Sequence, residues 1–306
     1  KGRIFGSLEF YHKLSDDLLV SRDVPIMMGV TNIRDNAAKV QNQGFEINLT
    51  ASPVRIKDFE WQIGGTYSYN DNKIVEIYGK EIDDIGNRWF IGHPIGVRYT
   101  QKCIGLWQES DMGSNEATLY NAVPGKPRFE EVPDADGNID YTINDKDRQI
   151  VGVTVPPHLL GLRTSFSYKN LTLAIAANGA FGHVKSTTYQ YYNDPRFRNF
   201  NFSYWTPETP DNYFPRPGSI AGDTESEHGS LFTFKADWFK IKNITLNYDL
   251  PAKWLKPVGI QSTAVFCSLQ DYFSFYSYPF VDPETGGGLG SYPNNKECKF
   301  GVRLSF

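Results

Sequence analysis

The sequence predicts an all-β fold, and more narrowly an antiparallel transmembrane β-barrel. Three observations carry this. Stretch after stretch alternates apolar and polar residues with period two over ten to fourteen residues. The connections are unequal, a few residues in some places and several tens in others. No convincing amphipathic helix appears beyond a possible turn at 253 to 256. Strands of that length exceed the usual five or six residues and suit a tilted membrane crossing. A soluble β-sandwich or jelly roll alternates too, so a secreted carbohydrate-binding module stays open as the alternative.

Composition narrows the classes. Among 306 residues are 21 Phe, 18 Tyr and 6 Trp, too aromatic for a disordered chain. The net charge of −4 speaks against a nucleic-acid partner. No apolar run of eighteen residues occurs, so no transmembrane helix is expected; crossing strands do not raise hydropathy. The chain opens Lys1-Gly2-Arg3-Ile4, without Met or a signal-like region, and its first residues already read as a strand. Either a signal peptide has been removed or the chain begins mid-protein, and the strand-like first residues favour the second reading.

The elements follow in order. Ile4 to Leu14 alternates loosely. In 41 to 51, Phe45, Ile47, Leu49 and Ala51 oppose Asn42, Glu46, Asn48 and Thr50. In 59 to 70, Phe59, Trp61, Ile63, Tyr67 and Tyr69 oppose Glu60, Gln62, Thr66, Ser68 and Asn70, with Ser52 to Asp58 as a short link. Ile95, Val97 and Tyr99 against Arg98, Thr100 and Lys102 predict another strand over 92 to 105. Leu160 to Tyr168 and Leu171 to Ala177 are separated only by Lys169 and Asn170, a hairpin turn. Ile241 to Leu250, Ser262 to Phe273 and the closing KFGVRLSF complete roughly nine or ten strands. Long connections fall at about 106–157, 183–230 and 274–298. Alternation of short and long links marks an outer-membrane barrel, with short periplasmic turns and long extracellular loops that carry function.

Chemistry-bearing groups are sparse. Cys103, Cys267 and Cys298 have no metal spacing and no even count for a disulfide framework. The five His are dispersed, and no nucleophile elbow or phosphate loop occurs, so no catalytic residue is expected. Carboxylate pairs such as Asp83-Asp84 and Glu130-Glu131 read as surface charge. The acidic stretch Asp134-Ala-Asp-Gly-Asn-Ile-Asp140 resembles part of a calcium loop. Placing Asp136-Gly137 at positions five and six puts Asp134 at three, Asn138 at seven and Asp140 at nine. Val132 would then fall at one, where it cannot ligate, and Asp147 could serve last only across an insertion. A structural calcium on Asp134, Asp136, Asn138, Asp140 and Asp147 is thus one expectation; a solvated Asp/Gly turn is the other. No cofactor is required. The aromatic-rich stretch 187–213 is the most suggestive binding feature. Trp107, Tyr189, Tyr191, Tyr192, Trp205 and Tyr213 are the candidates for contact with a sugar or peptide. Packing of loops on one another or on a partner uses the same rings.

A resemblance then gathers these pieces. Tyr11-His12-Lys13-Leu14-Ser15-Asp16-Asp17-Leu18-Leu19, Asn42-Gln43-Gly44-Phe45-Glu46 and Asn70-Asp71-Asn72-Lys73-Ile74 follow one another as in a known family. So do Gly92-His93-Pro94-Ile95-Gly96, Gly105-Leu106-Trp107-Gln108 and Asp136-Gly137-Asn138-Ile139-Asp140. Trp205-Thr206-Pro207-Glu208, the run from Asp237 to Leu246, and Asp282-Pro283-Glu284 complete the series. Each motif is weak alone; their order and number are specific. In them the chain resembles the C-terminal barrel portion of SusC/RagA-like TonB-dependent transporters of Bacteroidetes outer membranes, over nearly its whole length, 1–306. Thr209 and Asp271 depart from the Asn residues usual there. The resemblance implies a part of a larger 22-stranded, plugged barrel in the outer membrane. The plug domain and TonB box, and so the link to TonB, would lie outside these residues. It implies import of oligosaccharides or peptides beneath a SusD-like lipoprotein, without enzymatic activity.

Overall fold

The computed structural model describes residues 2–187, 203–217, 228–255, 257, 259–285, 292 and 294–305. In chain order the strands are β1 Ile4–Asp23, β2 Asn32–Ile56, β3 Phe59–Ile77, β4 Val97–Leu106, β5 Pro127–Glu130, β6 Arg148–Val153, β7 His158–Tyr168 and β8 Leu171–Phe181. β9 Val184–Ser186, β10 Thr233–Lys235, β11 Trp238–Asp249, β12 Ser262–Tyr276 and β13 Glu297–Ser305 follow. Among the described residues two short α-helices occur, α1 Asn115–Leu119 and α2 Ala252–Leu255, the second at the expected turn.

Eight strands form one antiparallel sheet in the order β1-β2-β3-β7-β8-β11-β12-β13. Sequence neighbours in the wall are spatial neighbours, as in an up-and-down barrel. The strand expected over 92–105 does form, but not in the wall. As β4 it pairs with β5 and β6 in a three-stranded loop sheet. Its Thr100 and Gln101 are buried there, so its alternation reflects packing inside a loop. The link placed at 52–58 is shorter than expected. β2 continues to Ile56, and a register shift between Ala51 and Val54 absorbs Pro53, which cannot donate to the ladder.

The register sorts side chains into continuous rows. One row runs Val54, Trp61, Phe166, Leu173, Leu246, Cys267, Phe300 across seven strands. The next row runs Gln62, Ser165, Ala174, Thr245, Ser268, Lys299 on the opposite face. The apolar face is bare: Phe10 is 75% and Phe300 79% exposed. No second sheet covers it among the described residues, which removes the sandwich alternative. Trp61 stacks on Phe166 at 5.8 Å and donates its Nε1 to Thr164, so its one polar atom is satisfied. From Phe59 to Tyr69 the band spans about 34 Å along the strand at about 3.4 Å per residue, or roughly 26 Å upright at a tilt of about 40°. That matches the apolar belt of an outer-membrane barrel, about 25 Å.

The ends differ. At one end lie the turns at 57–58 and 169–170 and the α2 connection. At the other lie the links 24–31, 78–157, 182–237 and 277–296. The sheet is open, with β1 and β13 as its edges. Lipid does not tolerate bare sheet edges, so these strands are part of a larger wall.

Candidate functional site

The long-loop end and the polar face beneath it hold the groups available for binding. On the polar face Asn72 Oδ1 accepts the Ile95 amide at 2.8 Å, which fixes that side chain's orientation. Asn72 and Asn70 then donate to Asn42 Oδ1, at 2.9 and 3.4 Å, and Tyr11 donates to Asn70. Gly44 lets Tyr11 lie across β2: a Cβ there would meet the Tyr11 hydroxyl at 2.7 Å and the Tyr69 carbonyl oxygen at 2.0 Å. Lower on the wall, Gly64 makes room for Arg163, which donates to Thr50 Oγ1 at 2.9 Å. Around them Gln62, Ser165, Ala174 and Asn243 line a recess of about 260 Å³. Glu9 stands directly opposite Glu46 on this face, with no basic partner among the described residues.

Of the aromatic candidates, two are buried. Trp107 and Trp205 are only 6% and 3% exposed. Trp107 packs on Tyr120 at 5.9 Å, with the Arg128 guanidinium over its ring at 4.5 Å. Trp205 donates its Nε1 to Gln108 Oε1 at 2.7 Å and covers Gly125, where a Cβ would meet its ring at 2.5 Å. In this arrangement the Trp107 ring is packed within the 97–130 loop, and Trp205 ties that loop to the 203–217 segment. Tyr213 is about half exposed, donates its hydroxyl to the Leu231 carbonyl, and packs on Phe214 and Phe234. Burial pushes its hydroxyl well above the usual tyrosine range. Tyr189, Tyr191 and Tyr192 lie outside the described residues.

The residues proposed for calcium do not converge. Asp134 Oδ1 accepts the backbone amides of Asp136 and Asn138 at 2.9 and 2.8 Å, closing its own turn. These bonds, led by that from Asn138, hold its carboxyl below the usual range. Asp140 accepts the Thr142 amide. Asp147 is buried and accepts the amides of Val132 and Asn144. No group of three or more acidic, His or Cys side chains able to hold a metal occurs among the described residues. The donor set does not fit calcium, and the Asp/Gly turn explains the motif.

Sequence reasoning missed an ionic cluster at the loop end. Lys240, on the polar face of β11, is fully buried. Its Nζ pairs with Asp282 and, at 2.5 Å, with Glu284, both on the β12–β13 connection. Lys242 reaches Glu284 at 2.7 Å and Asp271 at 3.1 Å, and Lys185 donates to the Pro283 carbonyl. Burial opposes ionisation of Glu284, but the bonds from Lys240 and Lys242 outweigh it and hold the carboxyl below its ordinary range. Nearby His183 is pushed down by burial and by Lys185. More than forty residues separate Lys240 from its partners, so no local spacing could announce the cluster.

With this geometry in place, likeness to known proteins becomes informative. Residues 1–218 match the family model described as TonB dependent receptor-like, beta-barrel. TonB-dependent receptor P26 of Formosa agariphila is 25% identical over 334 residues, covering 100% of this chain and 33% of that protein. TonB-dependent receptor SusC of Bacteroides thetaiotaomicron is 25% identical over 326 residues, covering 99% and 30%. Among solved structures, the RagAB peptide importer in its open-open state superposes with a TM-score of 0.77 at 20% identity, over 99% of this chain and 33% of that one. That likeness concerns the fold. The chain spans about one third of the length of the curated relatives it matches.

Proposed function

The chain belongs to the TonB-dependent receptor-like β-barrel family, and from that premise we propose that it forms part of the wall of an outer-membrane importer energised through TonB. One observation carries the reading. Every long connection lies at one end of a wall whose outward face is an apolar belt and whose inner face is polar. Nutrient capture falls to the long-loop end, and passage falls to the inner face. A SusD-like surface lipoprotein is the partner proposed for that end. TonB would be engaged through parts of the protein outside these residues.

The substrate proposed is an oligosaccharide. The support is the inner face, where Asn42, Asn70, Asn72, Gln62, Ser165 and Asn243 offer amides and hydroxyls with little net charge. Such groups pair with sugar hydroxyls. A peptide is the second reading, favoured by the description of the RagAB neighbour as a peptide importer. This chain's residues orient and pass cargo; no bond-making step is assigned to them.

The test is uptake by cells lacking the full-length gene. Labelled oligosaccharide pools are expected to stay outside, uptake is expected to collapse equally when TonB is removed, and the tagged protein is expected to bring down a surface lipoprotein. Unchanged uptake of both oligosaccharides and peptides would overturn the proposal. Loss confined to peptides would move the substrate to the second reading.

A further inference from the structure

We propose that the outward face of β1, β2 and β3, at the long-loop edge of the apolar belt, is a seat for one membrane amphiphile with a sugar headgroup. The inference rests on the membrane reading above.

The register builds the seat in two tiers. Phe10, Phe45 and Tyr69 lie directly opposite one another on the three strands, with ring centroids 6.1 and 5.9 Å apart. At the next outward position of each strand stand His12, Gln43 and Asp71, again directly opposite one another. Together the six line an open groove of about 530 Å³. The Tyr69 ring is braced from behind by His158, stacked at 5.0 Å. An acyl chain fits the aromatic tier, where the wall meets hydrocarbon. A headgroup fits the tier above it, at the membrane–water boundary.

The polar tier is ordered in advance. Gln41 Nε2 donates to Gln43 Oε1 at 3.2 Å, Gln43 Nε2 donates to Asp71 Oδ2 at 3.1 Å, and Lys73 pairs with the same oxygen at 2.9 Å. A surface that merely touches bulk lipid has no need of such a ladder, whereas a binding site gains from side chains already fixed. The charges select the headgroup. Lys73 and Asp71 cancel, so a phosphate or sulfate meets no uncompensated cation and a quaternary ammonium meets no free carboxylate. The Gln43–Asp71 bond uses only Asp71 Oδ2 and one Gln43 amide hydrogen, so Asp71 Oδ1, the second Gln43 amide hydrogen and the His12 ring are left for a ligand in the groove. Mixed donors and acceptors above aromatic faces suit the hydroxyls and C–H face of a pyranose.

The test uses the full-length protein, purified in an oligo-ethylene-glycol detergent that carries no sugar. An n-alkyl glucoside is titrated in, and bound adducts are counted by native mass spectrometry, beside an n-alkyl phosphocholine of equal chain length. One saturable glucoside adduct is expected, with phosphocholine binding weaker and non-saturable. Gln43→Leu and His12→Ala are each expected to weaken the adduct by about tenfold, the loss of a hydrogen bond or two. Lys102→Ala, in the loop sheet, should leave it unchanged. A heat-modifiable, membrane-fractionating protein with no saturable adduct, or with equal binding of both amphiphiles, or with adducts indifferent to Gln43→Leu, would overturn the seat while leaving the importer reading intact. Recovery of the protein without detergent would instead remove the membrane reading itself.

Discussion

Replacing Lys240 with Met tests whether the buried ionic cluster fastens the β12–β13 connection to the wall. Met has a similar length and keeps the packing against Trp238, over whose ring the ammonium lies at 5.4 Å. It removes the one charge that, among the described residues, pairs with both Asp282 and Glu284. Breaking a buried pair by removing one partner costs about 3–5 kcal/mol, because the other charge is left uncompensated. The lower figure applies here. Glu284 keeps Lys242, and its side chain is 27% exposed, so solvent screens part of the loss. About 3 kcal/mol corresponds to roughly a hundredfold rise in local opening. The assay is amide hydrogen exchange on the full-length protein, followed at Ser277, Glu284 and Thr285, whose amides bond to Asp237, to the Asp282 side chain and to the Asp282 carbonyl. Amides in β7 and β8 serve as controls and should stay protected. Adding Asp282→Asn to Lys240→Met should recover part of the protection, since one stranded charge is gone. Unchanged exchange at those three amides, with an intact wall, would refute the reasoning. Acid provides a second arm. The Glu284 carboxyl sits below its unfolded value of about 4.3. Its stabilisation is therefore present above that value and fades as pH falls through the lower folded one. Protection is expected to be flat near neutrality and to decay only below about pH 4.

Four further outcomes follow from the same structure. Leu49→Arg, on the outward face near mid-belt, should cost about 2–4 kcal/mol of folding stability in bilayers, while its neighbour Asn48→Arg on the inner face should cost far less; equal penalties by denaturant titration would contradict the facing. Gly125→Ala should loosen the loop assembly, because the new Cβ meets the Trp205 ring at 2.5 Å and Gly125 has φ +78°; proteolysis within 106–157 should quicken while the barrel's melting temperature holds. Calcium and chelators should leave thermal stability unchanged, since Asp134 and Asp147 spend their oxygens on backbone amides; stabilisation by calcium that Asp134→Asn abolishes would restore a metal site. Glu46→Gln should relieve the carboxylate pair formed with Glu9 and stabilise the full-length protein slightly; a strong loss of uptake with an intact wall would show that those charges serve a luminal partner.

The wall was legible because a strand's side-chain period is two and each face has one solvent. Phe45, Ile47 and Leu49 against Asn42, Glu46 and Asn48 state both faces outright, and the register confirms them. β4 was misplaced for the converse reason. Its alternation is real, but both of its faces lie within a loop, where Thr100 and Gln101 are buried with polar partners. Period two reports a sheet with unlike sides and cannot report what lies beyond either side. The surroundings of the aromatic residues are illegible for the same reason. Trp107 and Trp205 have the composition of a sugar-binding loop, yet the Trp107 ring is packed by Tyr120 and Arg128 of its own loop, and Trp205 bonds to Gln108, about a hundred residues away.

A common physical cause links what was legible to what was not. Within the wall, the pairs β2–β3 and β7–β8 are fixed by tight hairpins, so a residue's neighbours there can be counted from the turn. In the loop assembly partners are fixed by closure of long segments, whose entropic cost rises only slowly with length and so selects no particular spacing. Lys240 and Asp282 meet across such a closure, as do Cys103 and Ser230, whose hydroxyl accepts the Cys103 amide at 2.8 Å. The outward tier of His12, Gln43 and Asp71 lies between these extremes. Its members are distant in sequence, yet hairpin register alone aligns them, directly above Phe10, Phe45 and Tyr69. Sites on a barrel wall can therefore be read by extending each row across the strands, whereas sites in its loops have to be found by their closures.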